Sequence, residues 1–234
     1  MSRAIPFIDI LMMGRTLPPI REHFGDFDRW FQERPEVPAR FRVHYLFDGD
    51  PPPKHSESDA WIITGSSGSV HDEFPWLPAV KEGIVRAAND GQPILGVCFG
   101  HQLLAIAIGG KVEINPKGWE MGPAVIDLTR AGTKAPLFQG MASRIPVYQT
   151  HREVVTSLPP GAQVLAINEM GLQAFQFGHQ AFGVQFHPEF TAEIARMYVA
   201  LRLDRDPDAT FQSPGGSGDN SRKVLTNFIR HVTA

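Results

Sequence analysis

Short apolar runs, separated by amphipathic or turn-rich stretches, organise the first 110 residues of the chain. Residues 5–12, 41–47, 60–64 and 93–97 read as buried or alternating strands. Between the first two, residues 21–33 carry Phe24, Phe27, Trp30 and Phe31 on one helical face, which predicts a single helix. Leu77–Asn89 has the same helical periodicity, whereas the Pro-rich DPPPKHSES, residues 50–58, reads as a surface connection. Strands that alternate with helices predict a parallel sheet covered on both faces.

After Gly110 the pattern changes. Residues 124–130, 144–155, 162–170, 172–178 and 181–190 are short strand-like runs with no long helix between them, which predicts antiparallel pieces added at the sheet's edge. Residues 191–203 predict a helix with Thr191 as N-cap and Glu193 in its first turn. Residues 206–220 read as a flexible loop and residues 224–232 as a last helix. No internal repeat or clean linker divides the chain. The expected fold is therefore one α/β domain over residues 1–234: three layers, a mostly parallel central sheet with helices on both faces, and antiparallel strands in the C-terminal half.

Composition narrows the function classes. The 22 basic and 25 acidic residues give a net charge of −3, which offers no electrostatic footprint for nucleic acid. No apolar run approaches the length of a membrane span, and the N-terminus lacks the apolar core of a signal peptide, so a cytoplasmic protein with no membrane partner is expected. The single cysteine excludes an intrachain disulfide and a cysteine-based zinc site, and suits a reducing compartment.

That cysteine sits in Gly96-Val97-Cys98-Phe99-Gly100, between a buried strand and a helical pattern. Gly-x-Cys-x-Gly in that place has the form of a nucleophile elbow, a strained turn at the carboxyl edge of a sheet. A helix N-terminus favours a thiolate, and the free N–H of Phe99 could bind an oxyanion. A lone cysteine is also commonly an inert core residue, so a partner is required. His187 and Glu189 in GVQFHPEF are two positions apart in a strand-like run, so their side chains would leave the same face. A histidine there could take the thiol proton, with the carboxylate fixing its tautomer. The turn Gly65-Ser66-Ser67-Gly68 follows a strand whose carboxyl end would face the same crevice, and could supply a second oxyanion N–H.

Together, Gly96 to Gln102 and Gly183 to Glu189 resemble the signature segments of the class I, or triad, glutamine amidotransferases. The similarity covers nearly the whole chain, and YQTHREVV (148–155) resembles the intervening segment that lines the glutamine pocket. KGWEMG (117–122) and the Thr-Gly-Ser-Ser turn place the resemblance nearest the GMP synthase-like amidotransferases and the γ-glutamyl peptidases. The family implies a flavodoxin-like fold and roles for the matching positions. Cys98 would attack the side-chain amide of glutamine, His187 would act as base and then acid, and Glu189 would orient it. Phe99 with Gly65 or Ser66 would hold the oxyanion, while Gln102, Thr150 and His151 would seat the glutamyl part. His101 would be a structural neighbour. No metal or organic cofactor is implied by thioester chemistry.

Two departures from the family pattern bear on the substrate. The oxyanion turn is often Gly-Gly-Pro, but here it is Gly65-Ser66-Ser67; after His151 the family often has Gly-Asp, but here Arg152-Glu153 follow. Three readings stay open: a glutaminase subunit feeding ammonia to a separate synthase, a free-standing hydrolase of γ-glutamyl compounds, and a non-enzymatic binding or regulatory module on the same scaffold.

Overall fold

The computed structural model describes residues 5–205 and 218–233. Five parallel strands form one half of a nine-stranded sheet: β1 (Phe7–Met12), β2 (Arg40–Tyr45), β3 (Ala60–Ile63), β4 (Ile94–Val97) and β11 (Ala181–Val184). The other half is antiparallel and comprises β6 (Glu120–Leu128), β7 (Arg144–His151), β9 (Ala162–Asn168) and β10 (Gly171–Phe177). The spatial order is β2-β1-β3-β4-β11-β10-β9-β6-β7. A separate two-stranded ribbon pairs β5 (Lys111–Ile114) with β8 (Glu153–Ser157). The order 2-1-3-4 reverses direction beside β1, so the carboxyl ends of β1, β3 and β4 open on the crevice where doubly wound sheets bind ligands.

Period-two alternation divides the core into two layers. Ile8, Ile10, Met12, Ile62, Leu95 and Val97 face one layer, while Leu11, Trp61, Ile63 and Ile94 face the other. The first layer is covered by α1 (Pro18–Phe24), α2 (Phe27–Glu33), α5 (Ala192–Arg205) and α6 (Arg222–Val232). The second is covered by α3 (Leu77–Asn89) and α4 (Phe99–Ala107). Strands β3, β4 and β11 are buried along their whole length, as a sheet covered on both faces requires.

Three sequence expectations need correction. Residues 21–33 form parts of two helices, because Gly25 takes φ 81° and Asp26 starts a new helix by accepting a hydrogen bond from the Phe27 N–H. Residues 144–155 are two strands: β7 ends at His151, and β8 leaves the main sheet to pair with β5, which the sequence pattern did not predict. The run 181–190 is a strand only to Val184, and that strand lies parallel to β4 inside the sheet rather than antiparallel at its edge. Residues 185–190 form a turn, consistent with Pro188 having no N–H for a ladder. Of the expected loop, residues 206–217 lie outside the described residues, and Gly218–Ser221 form a short 3₁₀ turn.

Candidate active site

The elbow is built by close backbone packing. Cys98 has φ 51° and ψ −104°, and among the described residues it is the only non-glycine with positive φ. A Cβ at Gly96 would stand 2.4 Å from the Gly100 carbonyl oxygen, and one at Gly100 would stand 2.2 Å from that of Ile63. Both flanking positions therefore need glycine. The turn is held by Cys98 N–H to Val184 O at 2.9 Å, Gly100 N–H to Thr64 O at 3.1 Å and Gln102 N–H to Cys98 O at 3.0 Å. Such a conformation costs free energy and persists where its surroundings over-determine it. The thiol lines a cleft of about 600 Å³ and has its Sγ 4.0 Å from the Thr150 carbonyl oxygen.

His187 and Glu189 meet in the turn that follows β11. The His187 N–H donates to Tyr148 O at 2.9 Å, and His187 Nδ1–H donates to Glu189 Oε1 at 2.7 Å, with both side chains buried. The same-face relation expected from a strand is thus produced by a tight turn. Burial alone would lower the pKa of His187. The charge of Glu189, followed by the nearby Cys98, outweighs burial and pushes it up to about 10. Nε2 makes no hydrogen bond of ordinary distance and angle. Cys98 is near enough to act on the His187 ring, although no hydrogen bond closes between them.

Ser66, Phe99, Gln102, Thr150 and His151 line the same cleft as Cys98. Gly65 packs behind it: a Cβ there would stand 3.3 Å from His187 Cε1 and 3.3 Å from the Phe27 ring. Ser66 Oγ accepts from the Gly68 N–H at 3.1 Å, which folds the turn. The side chains expected to seat substrate are partly committed to the protein. Gln102 Nε2 donates to Glu153 O at 3.1 Å and to Gln185 Oε1 at 3.2 Å. His151 Nδ1–H donates to Glu153 O at 2.9 Å, while Nε2 meets Glu120 Oε2 at 2.9 Å. Thr150 Oγ1 is buried with no hydrogen-bond partner. His101 is fully enclosed against Phe175 and Gly183, and burial pushes its pKa down to about 3, as suits a neutral structural ring.

Several contacts of the site were not predicted from the sequence. Glu120, on β6, accepts from Asn168 and from Gln173 as well as meeting His151. Glu153 accepts a hydrogen bond from Ser69 Oγ, so its carboxylate ties β8 to the Gly/Ser turn. At the cleft's rim the Arg202 guanidinium lies 4.6 Å over the Trp119 ring. These partners come from elements far apart in the chain and form no local motif. Among the described residues, no group of three or more His, Cys, Asp or Glu side chains is arranged to hold a metal ion, and no helix is long and apolar enough to cross a membrane.

The profile of the family described as glutamine amidotransferase class-I matches residues 41–200. The chain belongs to this family. Among its class I relatives, GMP synthase [glutamine-hydrolyzing] of Pyrobaculum aerophilum is 39% identical over 133 residues, which cover 57% of this chain and 24% of that enzyme. Gamma-glutamyl peptidase 3 of Arabidopsis thaliana is 29% identical over 74% of this chain and 70% of its own length. A gamma-glutamyl-L-1-hydroxyisopropylamide hydrolase of a Pseudomonas species is 32% identical over 65% of this chain and 56% of that one. The matched segment thus spans only about a quarter of the GMP synthase and more than half of the two hydrolases. A glutamine amidotransferase from Thermotoga maritima superposes with a TM-score of 0.72 at 20% identity, covering 97% of this chain and 99% of that one, and so shares the α/β fold.

Proposed function

We propose that the chain is a single-domain cysteine amidohydrolase that cleaves the γ-glutamyl amide of glutamine through a γ-glutamyl thioester, releasing ammonia and glutamate. The observation that carries this reading is the strained Cys98 at a helix N-terminus, beside an imidazole that Glu189 holds by Nδ1. The raised pKa of His187 supports the role, because it favours transfer of the thiol proton to give a thiolate–imidazolium pair. Sγ attacks the amide carbonyl carbon, and the tetrahedral oxyanion is held by the N–H of Phe99 and that of Gly65 or Ser66. The imidazolium donates its Nε2 proton to the leaving nitrogen as the C–N bond breaks. The neutral ring then takes a proton from water, hydroxide attacks the thioester, the C–S bond breaks, and glutamate leaves with the imidazolium–thiolate pair restored. Gln102 and His151 shape the pocket wall through their hydrogen bonds to Glu153, and Thr150 Oγ1 remains available to substrate. The site would work in the cytoplasm, and its ammonia could pass to a separate synthase subunit.

A second reading is favoured by the size of the cleft. About 600 Å³ is within the range that takes a drug-sized ligand and exceeds what glutamine alone fills. A γ-glutamyl peptide or amine, cleaved by the same steps with an amine as leaving group, would use the surplus. One assay separates the readings: release of ammonia from glutamine and of amine from γ-glutamyl dipeptides, for wild type and Cys98→Ala. Both activities, where present, should fall at least about 10⁴-fold in Cys98→Ala with an unchanged circular-dichroism spectrum. Retained turnover in that variant removes the mechanism.

A further inference from the structure

The imidazole of His187 lies in an aromatic stack that the steps above do not use. Phe190 covers one face at 4.0 Å between ring centroids and 13° between planes. The Phe27 ring lies 6.4 Å away and is inclined by 16°. Behind Phe190 lies Tyr198, stacked at 4.9 Å and 16°. Trp30 points its edge into both Phe27, at 5.2 Å, and Phe190, at 5.6 Å. The stack is closed by hydrogen bonds. The Tyr198 hydroxyl and Thr16 Oγ1 are 2.6 Å apart, the Thr16 N–H donates to Asp26 Oδ1 at 2.9 Å, and the same oxygen accepts from the Phe27 N–H at 2.9 Å. Rings from the His187 turn, α2 and α5 are thereby locked into one block.

A bond at Nδ1 alone fixes one edge of the imidazole and leaves the plane free to tilt about that bond. A flat ring packed closely on one face opposes that tilt. The negative π-faces also favour the cationic ring over the neutral one. We propose that Phe190, backed by Tyr198, is a positioning residue for His187 that fixes the imidazole plane and favours its protonated form. The polar groups that face the ring are Glu189 on its own turn, Cys98 on the elbow and the backbone of Gly65. From α5 the phenol of Tyr198 is held by Thr16, and at the start of α2 Asp26 is engaged by two backbone N–H groups.

The inference rests on His187 as the general base, but its first readout needs no substrate. Histidine-labelled protein, with the His187 signal assigned by His187→Gln, is titrated by NMR for wild type, Phe190→Leu and Phe228→Leu; Phe228 is an equally buried α6 residue outside the stack. The second readout is the rate at which 6-diazo-5-oxo-norleucine alkylates Cys98 at neutral pH. Phe190→Leu should lower the His187 midpoint by about one pH unit and slow alkylation roughly tenfold, while Phe228→Leu changes neither. Folded Phe190→Leu with both readouts unchanged, or equal changes in Phe228→Leu, overturns the proposal. Should Phe190→Leu not fold, Tyr198→Leu, which removes the ring that backs Phe190, carries the same expectation. Wild type that is never alkylated would sink the proposed reaction, while the titration would still decide the role of Phe190.

Discussion

Cys98 and His187 carry opposite kinds of cost: one holds a strained backbone, the other a buried charge. The second cost gives a pH signature. The folded-state pKa of His187 is raised, so its contribution to stability is complete below its unfolded value near 6.5 and is lost as pH rises through about 10. Wild type should therefore lose about 2 kcal/mol or more between those limits relative to Glu189→Gln, in which the partner charge is gone. Paired denaturant titrations across that window check this, and parallel curves would show that His187 is not held as a cation. The proposed nucleophile and base were legible in the sequence because each sits in a compact local signature, GVCFGHQ and GVQFHPE. Glu120 was not, because its three partners lie on β7, β9 and β10 and no spacing in the chain relates them. Nor did the sequence reveal the internal partners of Gln102 and His151, which line the cleft with Cys98. Their polar atoms are already drawn into Glu153 and Glu120.

Strand β3, strand β4 and helix α4 meet more tightly than any side chain allows, and the elbow depends on that meeting. Gly100→Ala places its Cβ against the Ile63 carbonyl, which cannot move without breaking the β3–β4 pairing. A loss of about 3 kcal/mol or outright failure to fold is expected, measurable by thermal melting. Gly49→Ala makes a useful contrast, since nothing lies within 4 Å of a Cβ there and only its φ of 104° is strained; it should cost about 1 kcal/mol. At the same level of structure, fully buried runs such as AWII and ILGV identified the parallel strands from sequence, because both faces of those strands are covered. Where periodicity failed, a single residue had overruled it: Gly25 broke one apolar helical face in two, and the change of partner at Arg152 moved β8 off the main sheet. Such choices are made by tertiary contacts, which a local pattern does not record.

The whole molecule combines a parallel half, whose strand ends form the crevice, with an antiparallel half and a two-stranded ribbon that supply the cleft's far wall, the first through Thr150 and His151 and the second through Glu153. Neither half alone contains the proposed machinery: Cys98 comes from the first, while the cleft wall opposite it comes from strands β7 and β8. The chain is similar in sequence both to GMP synthases named as glutamine-hydrolyzing and to proteins named as a γ-glutamyl peptidase and a γ-glutamyl amide hydrolase, and the chemistry proposed for Cys98 is common to both readings and is the point to test. The measurement is the intact mass of the protein after treatment with 6-diazo-5-oxo-norleucine, for wild type and Cys98→Ala, with glutamine and γ-glutamyl dipeptides as competitors. One stoichiometric adduct on Cys98, absent from the variant and blocked by a competitor, is the predicted result. Wild type that stays unmodified while remaining folded would contradict a working γ-glutamyl pocket at Cys98.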